Sequence, residues 1–578
     1  ESIAPAGGVC VSKSVYDELS NQDGFDGIEL GLQSLKGVGR LIEVFGLRGN
    51  KLSEPNPKEY EQNKIAVHSD DEVPSIAIIP FRNKGKEEDA FYAYGISVDL
   101  ISDVSSAGLI RVASKKQIDD AGDLSQDELA KTLNVRFMVN GELWRRDDMF
   151  QLSVELYDTK DKKVVWSDRW QEKWDNLPTI KGSLSDGLLK ALNTTPKVKK
   201  KVKTINTEAY EYYLKAKYKY EKRDNMEDSE VARGLLVKAI HLDDNILVAK
   251  NLLGWSYYEA GEYDAAITIY KKVVKQSQEI NDRIALGVSI GHIGIIYHQK
   301  GNLNTALDHY LRSKKIREEL EDKNGVTLII NDIGVIYWNK GDYDKALDCY
   351  LHSYKIQEEL DYKYGMGISL MNIGIIYKEK GDYDKALDFY TQSLEIRQEI
   401  GDKTGVGYTL SNIGNILRNR GEYEKALDFT VRSIEIRKKL EDKPGMGLNL
   451  EIKGVILFEK GQYKKAIQNL KRSLKIQKQV GMNKGSVLID TTTYIFLICK
   501  IQNEVFDVKK IKNMIIETEN IEFELNYRLY ELLEEKSYLD TAYNQVIEKA
   551  NAMEDELKAK FLGYPIPSII VGKWEKMK

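Results

Sequence analysis

The chain has 578 residues, of which 42% are apolar and 30% charged, with a formal net charge of −5. That length supports several domains with buried cores, and no apolar run approaches the ~20 residues a membrane-spanning helix needs. The slight acidic excess disfavours nucleic acid as a partner, and three dispersed cysteines, Cys10, Cys349 and Cys499, read as reduced thiols rather than a disulfide frame.

In chain order, residues 1–49 come first. "VCV" reads as a short buried strand, "SVYDEL" as a helix opening after Ser12 or Ser14, and "LKGVGRLIEVF" follows an acidic, glycine-bearing turn. No charged-then-apolar leader precedes them, so the expectation is a cytoplasmic protein with no membrane partner. The order "PAGGVCVS", helix, turn, "LKGVGRLIEVF" resembles the closing segment of a class III nucleotide cyclase catalytic domain. The resemblance implies that the Asn- and Arg-bearing segment of that family lies directly before Glu1. It implies too that the family's two metal-binding aspartates lie upstream, where Mg²⁺ or Mn²⁺ would serve a full-length cyclase. Within this chain it implies no cofactor and no catalytic residue. Only Lys36 in "SLKGVG" matches a family position, that of a lysine contacting the nucleotide's triphosphate, and dimerisation would run through the missing part.

Residues 50–73 lose apolar periodicity and carry two prolines, Pro55 and Pro57, so they read as a linker. The next block, 74–192, reads as a small α/β unit of about five strands. "VPSIAIIPF" is a buried strand, "AFYAYGISVDLISDVSSAG" a helix and "LIRVA" a second strand. "LSQDELAKTL" is a helix whose Ser125 and Glu128 stand at capping-box spacing. "VRFMVNGELW", "MFQLSVELYD" and "KVVWSDRWQ" alternate as three strands, and "LPTIKGSLSDGLLKAL" closes the unit as a helix. The run from "AIIPF" to "VVWSDRW" resembles the TolB-like amino-terminal domain of bacterial signalling proteins, which implies no activity. Asp99 and Asp103 are expected on a solvated helix face rather than at a metal, and Trp144, Trp166 and Trp170 in core or interface packing. Residues 193–205 form a second linker, where Lys197, Lys199, Lys200, Lys201 and Lys203 have no aromatics between them and read as solvated.

From 206 onward the sequence repeats. A small-helix glycine recurs every 40 residues at Gly254, Gly294, Gly334, Gly374, Gly414 and Gly454. A turn glycine recurs at Gly261, Gly301, Gly341, Gly381, Gly421 and Gly461, and an alanine at Ala266, Ala306, Ala346, Ala386, Ala426 and Ala466. Each unit predicts two helices, A and B, joined by a left-handed glycine, and a lone pair must stack on neighbours to bury its apolar stripe. The order small Gly, Tyr, turn Gly, Ala, aromatic resembles the tetratricopeptide repeat, in a long-helix variant about six residues beyond the usual length of about 34. Counting the divergent "NTEAYEYYLKAKYKY" pair, about seven pairs are expected from 206 to 480. The repeat region is placed at 206–503, with 504–578 expected to add a divergent pair and a capping helix.

At 100° per residue, the side of each A helix opposite its core stripe holds the residues two before, one after and five after the small glycine. These are His292, Asp332, Asn372 and Asn412; Trp255, Ile295, Val335, Ile375 and Asn415; and Gln299, Asn339, Glu379 and Asn419. Carboxamides donate and accept, so such a ladder suits the backbone of an extended peptide. No C-x-x-C, H-E-x-x-H, G-x-S-x-G or P-loop pattern is present, Gly37-Val38-Gly39 lacks a dinucleotide-loop context, and His292, His298 and His309 do not share a helix face. The expected architecture is therefore a small α/β stub and an α/β domain followed by an all-α superhelix. The expected function is the regulatory, protein-binding portion of a cyclic-nucleotide signalling protein. The alternatives are a free-standing repeat scaffold with a vestigial tail, or an active cyclase if a catalytic domain lies upstream.

Overall fold

A computed structural model describes residues 10–12, 16, 26–34, 41–48 and 74–578, apart from 106–109, 122–123, 147, 195–205, 224, 482–485 and 519–520. The chain forms two compact units, 1–73 and 74–578. In the first, β1 (Cys10–Ser12), β2 (Asp26–Ser34) and β3 (Leu41–Arg48) make an antiparallel sheet in the order β1-β3-β2, with a bulge between Glu29 and Gly31. Tyr16 stacks on Phe45 with ring centroids 4.4 Å apart. Lys36 and the lysines from Lys197 to Lys203 lie outside the described residues.

The second unit opens on a sheet of six strands: β4 (Ser75–Ile78), β5 (Arg82–Asn83), β6 (Arg111–Val112), β7 (Phe137–Arg146), β8 (Met149–Asp158) and β9 (Lys163–Lys173). β6, β4 and β7 run parallel, β7-β8-β9 form an antiparallel meander, and the two-residue β5 pairs with β7 beyond the strands expected. β4 is buried on both faces, which is why it reads as a continuous apolar run. Ile76 and Ile78 face the core under α1 (Ala90–Ser105) and α4 (Leu177–Ala191), while Ala77 faces α2 (Lys115–Ala121) and α3 (Gln126–Leu133). The capping box forms as the spacing predicts: Glu128 N–H donates to Ser125 Oγ, and Ser125 N–H donates to Glu128 Oε2. Trp166 and Trp170 pack against the core.

Seven helix pairs follow between Thr207 and Gln479. The A helices are α5 (Thr207–Glu221), α7 (Leu247–Glu259), α9 (Arg283–Gln299), α11 (Lys323–Asn339), α13 (Lys363–Glu379), α15 (Lys403–Asn419) and α17 (Lys443–Glu459). The B helices are α6 (Met226–Leu242), α8 (Tyr263–Ile280), α10 (Leu303–Glu319), α12 (Tyr343–Glu359), α14 (Tyr383–Glu399), α16 (Tyr423–Lys439) and α18 (Tyr463–Gln479). Within a pair the helices touch at the small glycine. A Cβ on Gly374 would sit 2.7 Å from the ring of Tyr390, which is itself fully buried. Two turns earlier on the A helix, buried serines bridge the helices, Ser313 Oγ donating to the Gly287 carbonyl, Ser393 to Gly367 and Ser433 to Gly407, each at 2.7 Å. The B-to-A turns add a recurring pair, Arg317 on Asp322 and Arg397 on Asp402 at 2.7 and 2.6 Å, and Arg437 on Asp442. Those aspartates also cap the next A helix, accepting from the backbone of Gly325, Gly405 and Gly445.

Asp99 is not on a solvated face. α5 lies directly over α1, leaving Asp99 3% exposed. Its carboxylate accepts from Tyr210 Oη, Tyr213 Oη and Lys217 Nζ at 2.8, 2.7 and 2.7 Å. One core runs from Ile76 through Leu188 to Leu253, so the blocks on either side of 193–205 share their interior. Later turns also meet the α/β portion: Asn134 Nδ2 donates to Asp361 Oδ2 at 2.8 Å, and Asn324 Nδ2 to the Ile110 carbonyl at 3.3 Å.

The closing helices depart from the expected cap. α19 (Ser486–Ile501) continues the stack on α18, and α20 (Val508–Ile516) follows it. α21 (Phe523–Leu533), α22 (Lys536–Asn551), α23 (Asp555–Gly563) and α24 (Pro565–Glu575) then turn back onto the repeats. Tyr527, Val546, Phe561, Tyr564 and Ile570 share a core with Tyr383, Leu410, Ile413 and Ile456, and Arg418 pairs with Glu524 as Arg528 does with Glu459. Among the described residues, no helix is long and apolar enough to cross a membrane.

Gly381 separates two effects. It and Gly301 both end an A helix at positive φ, +78° and +74°, where a Cβ costs about 1 kcal/mol or more. Around Gly301 there is open space, whereas a Cβ on Gly381 would meet Met553 Cε at 2.4 Å and Phe561 at 3.0 Å. Gly381→Val should therefore speed amide hydrogen exchange throughout 523–575, and Gly301→Val should not. Equal protection of that segment in both variants would refute the seating of the closing helices on this turn.

Candidate functional site

The expected ladder lies on four consecutive A helices. The core stripe is where the spacing put it, with Leu370 and Ile373 buried, while His292, Asp332, Asn372 and Asn412 stand half-buried on the side away from it. Val335, Ile375, Glu379, Asn415 and Asn419 are also half-buried, and Asn339 is exposed. On α9 and α11 these groups meet each other. His292 packs between Trp255 and Tyr270 with ring centroids 5.3 and 5.0 Å away, and Asn339 Nδ2 donates to His298 Nε2 at 2.8 Å. Burial, with Arg317 acting in the same sense, pushes His292 down to about 4; burial pushes Asp332 up to about 7 with Arg317 opposing it. His292 is thus neutral at pH 7 and Asp332 carries only part of its charge, so this stretch presents hydrogen-bonding groups beside aromatic surface, with Trp338 exposed nearby on α11.

From Ile375 on α13 and along α15 the same face is covered by the chain itself. Ile375 packs against the core that Tyr527 and Val546 enter, and Lys549 on α22 feels Glu379 and Lys378 across the seam. Asn412 and Asn415 line a part-open cavity of about 490 Å³ between α15, α17, α19 and the start of α21. The predicted column is therefore continuous, and the closing helices cover it from Ile375 onward.

Sequence reasoning missed the groups that define this cavity: Arg418, Glu451, Asp490 and Glu524. Arg418 donates to both Glu524 oxygens, at 2.5 and 3.1 Å. Burial alone would raise Glu524, but Arg418 and Arg528 hold it at about 2. Burial pushes Glu451 well above the carboxylate range, and Asp490 beside it acts in the same direction. Burial takes Asp490 up to about 7, with Glu524 adding to the effect. One signal was readable: Glu451 occupies the register held by Asn251, Gly291, Asn331, Met371 and Ser411 in earlier repeats. Among the described residues no three His, Cys, Asp or Glu side chains converge as a metal site.

A family model for the tetratricopeptide repeat matches residues 243–322, 326–399 and 406–479, so the chain carries these repeats. A Rhizobium meliloti (strain 1021) protein named "Putative adenylate cyclase 3" is 20% identical over 260 residues, 43% of each chain. The chain thus spans less than half the length of that relative. Among solved structures, a Pyrococcus horikoshii signal-transduction ATPase with numerous domains and a tetratricopeptide repeat sensor aligns with a TM-score of 0.40 and 14% identity, covering 64% of this chain and 57% of that one. A Rap protein complexed with competence and sporulation factor aligns at 0.39 and 15%, covering 64% of this chain and all of that one.

Asp490 makes the site testable by pH. Its folded-state carboxyl keeps a proton up to about pH 7, whereas in the unfolded chain it ionises near ~4. Stability from this group is therefore full below the unfolded value and is lost as pH rises towards 7. Asp490→Asn should raise the urea midpoint relative to wild type at pH 8, and the difference should shrink as pH falls to 5. A difference of the same size at both pH values would show that Asp490 ionises normally.

Proposed function

We propose that this chain is the regulatory and protein-interaction portion of a cytoplasmic cyclic-nucleotide signalling protein, its repeats holding a partner protein or peptide along the inner face. The observation that carries the reading is the uncovered part of the polar column, His292, Asp332 and Asn339, continuing to Asn372 with Trp255, Trp338 and Val335 beside it. Such a face pairs with peptide backbone through amides and holds side chains through aromatic surface. Tetratricopeptide repeats are commonly non-enzymatic platforms, and function lives in the site rather than the fold. The cyclase link is supported by the residue order of 1–49 and by the name of the Rhizobium relative. The chemistry, with its Mg²⁺ or Mn²⁺, would belong to a catalytic domain of which residues 1–49 are the tail. The α/β block resembles the TolB-like spacer and shares its core with the first repeat, so a load on the repeats reaches it through packed side chains.

Two outcomes follow. A partner captured by the wild-type chain, identified by mass spectrometry and remeasured as a purified protein, should bind Asn339→Ala/Asn372→Ala about tenfold or more weakly, since each lost pairing contributes roughly 0.5–1.5 kcal/mol. Unchanged affinity with an intact circular dichroism spectrum would remove the inner face from consideration. Separately, this chain alone should form no cyclic nucleotide from ATP or GTP with Mg²⁺ or Mn²⁺. Metal-dependent turnover lost in Lys36→Ala would overturn that assignment of the chemistry.

A further inference from the structure

The net charge of −5 conceals a local excess of the opposite sign. Residues 460–516 hold twelve Lys and Arg against three Asp and Glu. The excess is densest on α18, whose Lys464, Lys465, Lys471, Arg472, Lys475 and Lys478 are all exposed and make no ion pair among the described residues. The B helices before it are built otherwise. There an acid at the second helical position holds a cation of the next A-to-B turn: Asp344 holds Lys380, Asp384 holds Arg420 and Glu424 holds Lys460. At that register α18 has Lys464, and Lys500, the cation of the next turn, pairs with Glu534 instead. Lys475 likewise stands where α14 and α16 have Glu395 and Glu435. Lys464, Lys471, Lys475 and Lys478 fall on one stripe of the helix. Like charges three and four apart repel, and no described residue offsets that repulsion.

An exposed apolar edge adjoins this stripe. Val505 and Ile516 are 99% and 83% exposed, the two most exposed large apolar side chains among the described residues, and Ile501 and Val508 are exposed with them. Lys471 and Glu504 both lie beside the Cys499 thiol of α19, which puts the 502–507 turn next to α18. Phe506 is held on Phe496 with ring centroids 5.5 Å apart, so the turn is anchored while Val505 projects from it. The two acids of the turn are engaged locally, Glu504 with Cys499, and Asp507 as the cap of α20, accepting from Lys510 N–H at 3.0 Å. We propose that α18 and the 501–516 edge form a docking surface for an anionic phospholipid bilayer, with the α18 cations over the headgroups and Val505 and Ile516 inserted among them. Exposed aliphatic side chains beside a polybasic face are what attachment to such a surface requires. A nucleic acid or an acidic segment would answer the charge but leave Val505 and Ile516 in water, whereas a bilayer takes up both. The expectation of no membrane partner rested on the lack of a leader and of a spanning helix, and neither bears on attachment to a surface. The inner groove is not involved, so Asn339→Ala/Asn372→Ala should leave docking unaffected.

The experiment is co-sedimentation of the full chain with vesicles of phosphatidylcholine alone and of phosphatidylcholine with about 30% phosphatidylserine, at low and at high salt. The expected result is binding to the phosphatidylserine vesicles only, weakened by salt. Lys471→Gln/Arg472→Gln and Lys464→Glu/Lys475→Glu should each lower the vesicle affinity about tenfold or more. Lys271→Gln/Lys272→Gln, at the same register of α8, should not. Val505→Ser/Ile516→Ser should also weaken binding, with the salt dependence of wild type. All of these positions are exposed, and Glu424 and Glu435 already stand at the registers of Lys464 and Lys475, so the variants should fold as wild type does. No binding to either vesicle, equal binding to both, or unchanged binding in the α18 variants or in the apolar variant would each overturn the proposal. Capture of single-stranded RNA or polyglutamate in place of the vesicles would overturn it as well.

Discussion

A pair of antiparallel helices has two apolar faces and can bury only one of them against itself, and most of this molecule follows from that constraint. Within a pair, Gly374 beneath Tyr390 and Ser393 bonded to the Gly367 carbonyl bring the helices close enough to leave no gap. The second face is then covered by the next pair. The stack has two ends, and each must be closed by something that is not a repeat. At the start, α1 of the α/β block supplies the missing face. Asp99 gathers the polar ends of Tyr210, Tyr213 and Lys217, so that the apolar remainder of α5 can be buried. At the other end α19 extends the stack, and the helices after it fold back rather than onward.

The inner face obeys a second constraint. Its half-buried polar groups are too far from water to hold full charge and too near it to be purely apolar. Desolvation lowers His292 and raises Asp332, Glu451 and Asp490, and each shift favours the neutral form. Charge persists where a partner is fixed against it, as at Arg418 and Glu524. What such a surface presents is hydrogen-bonding groups more than charge.

Much of the repeat architecture was legible because it is periodic. Gly254 to Gly454 and Gly261 to Gly461 mark the close contacts and the left-handed turns, and alternation along "MFQLSVELYD" marks which side chains β8 turns inward. What periodicity could not show is contact between segments that share no register. Asp99 looked solvated because its own helix gives no hint that α5 lies over it. The closing helices looked like a cap because their apolar stripes resemble those of a stack end, yet Phe561 and Tyr564 are matched to Tyr383, nearly two hundred residues earlier. The cavity was hidden for the same reason: Glu451 is the one charged residue in its repeat column, and its neighbour Asp490 lies beyond the last 40-residue copy.

The seam that covers the inner face is built from two unlike parts, and they do different work. Phe561, Ile566 and Ile570 are buried against the repeats, and burying side chains of that size contributes roughly 1.5–3 kcal/mol each. Arg418–Glu524 and Arg528–Glu459 add less net stability than their closeness implies, because both partners give up hydration to form them. Their effect is on register. Each pair is made in one position of α21 only, so a slide of one turn along the repeats would part Glu524 from Arg418 and Arg528 from Glu459. In that register Ile521 and Leu525 line the cavity. An all-apolar seam could slip inward and fill the space. A seam pinned by ion pairs resists that slide, so charge as well as packing sets where the helices beside Glu451 and Asp490 stand.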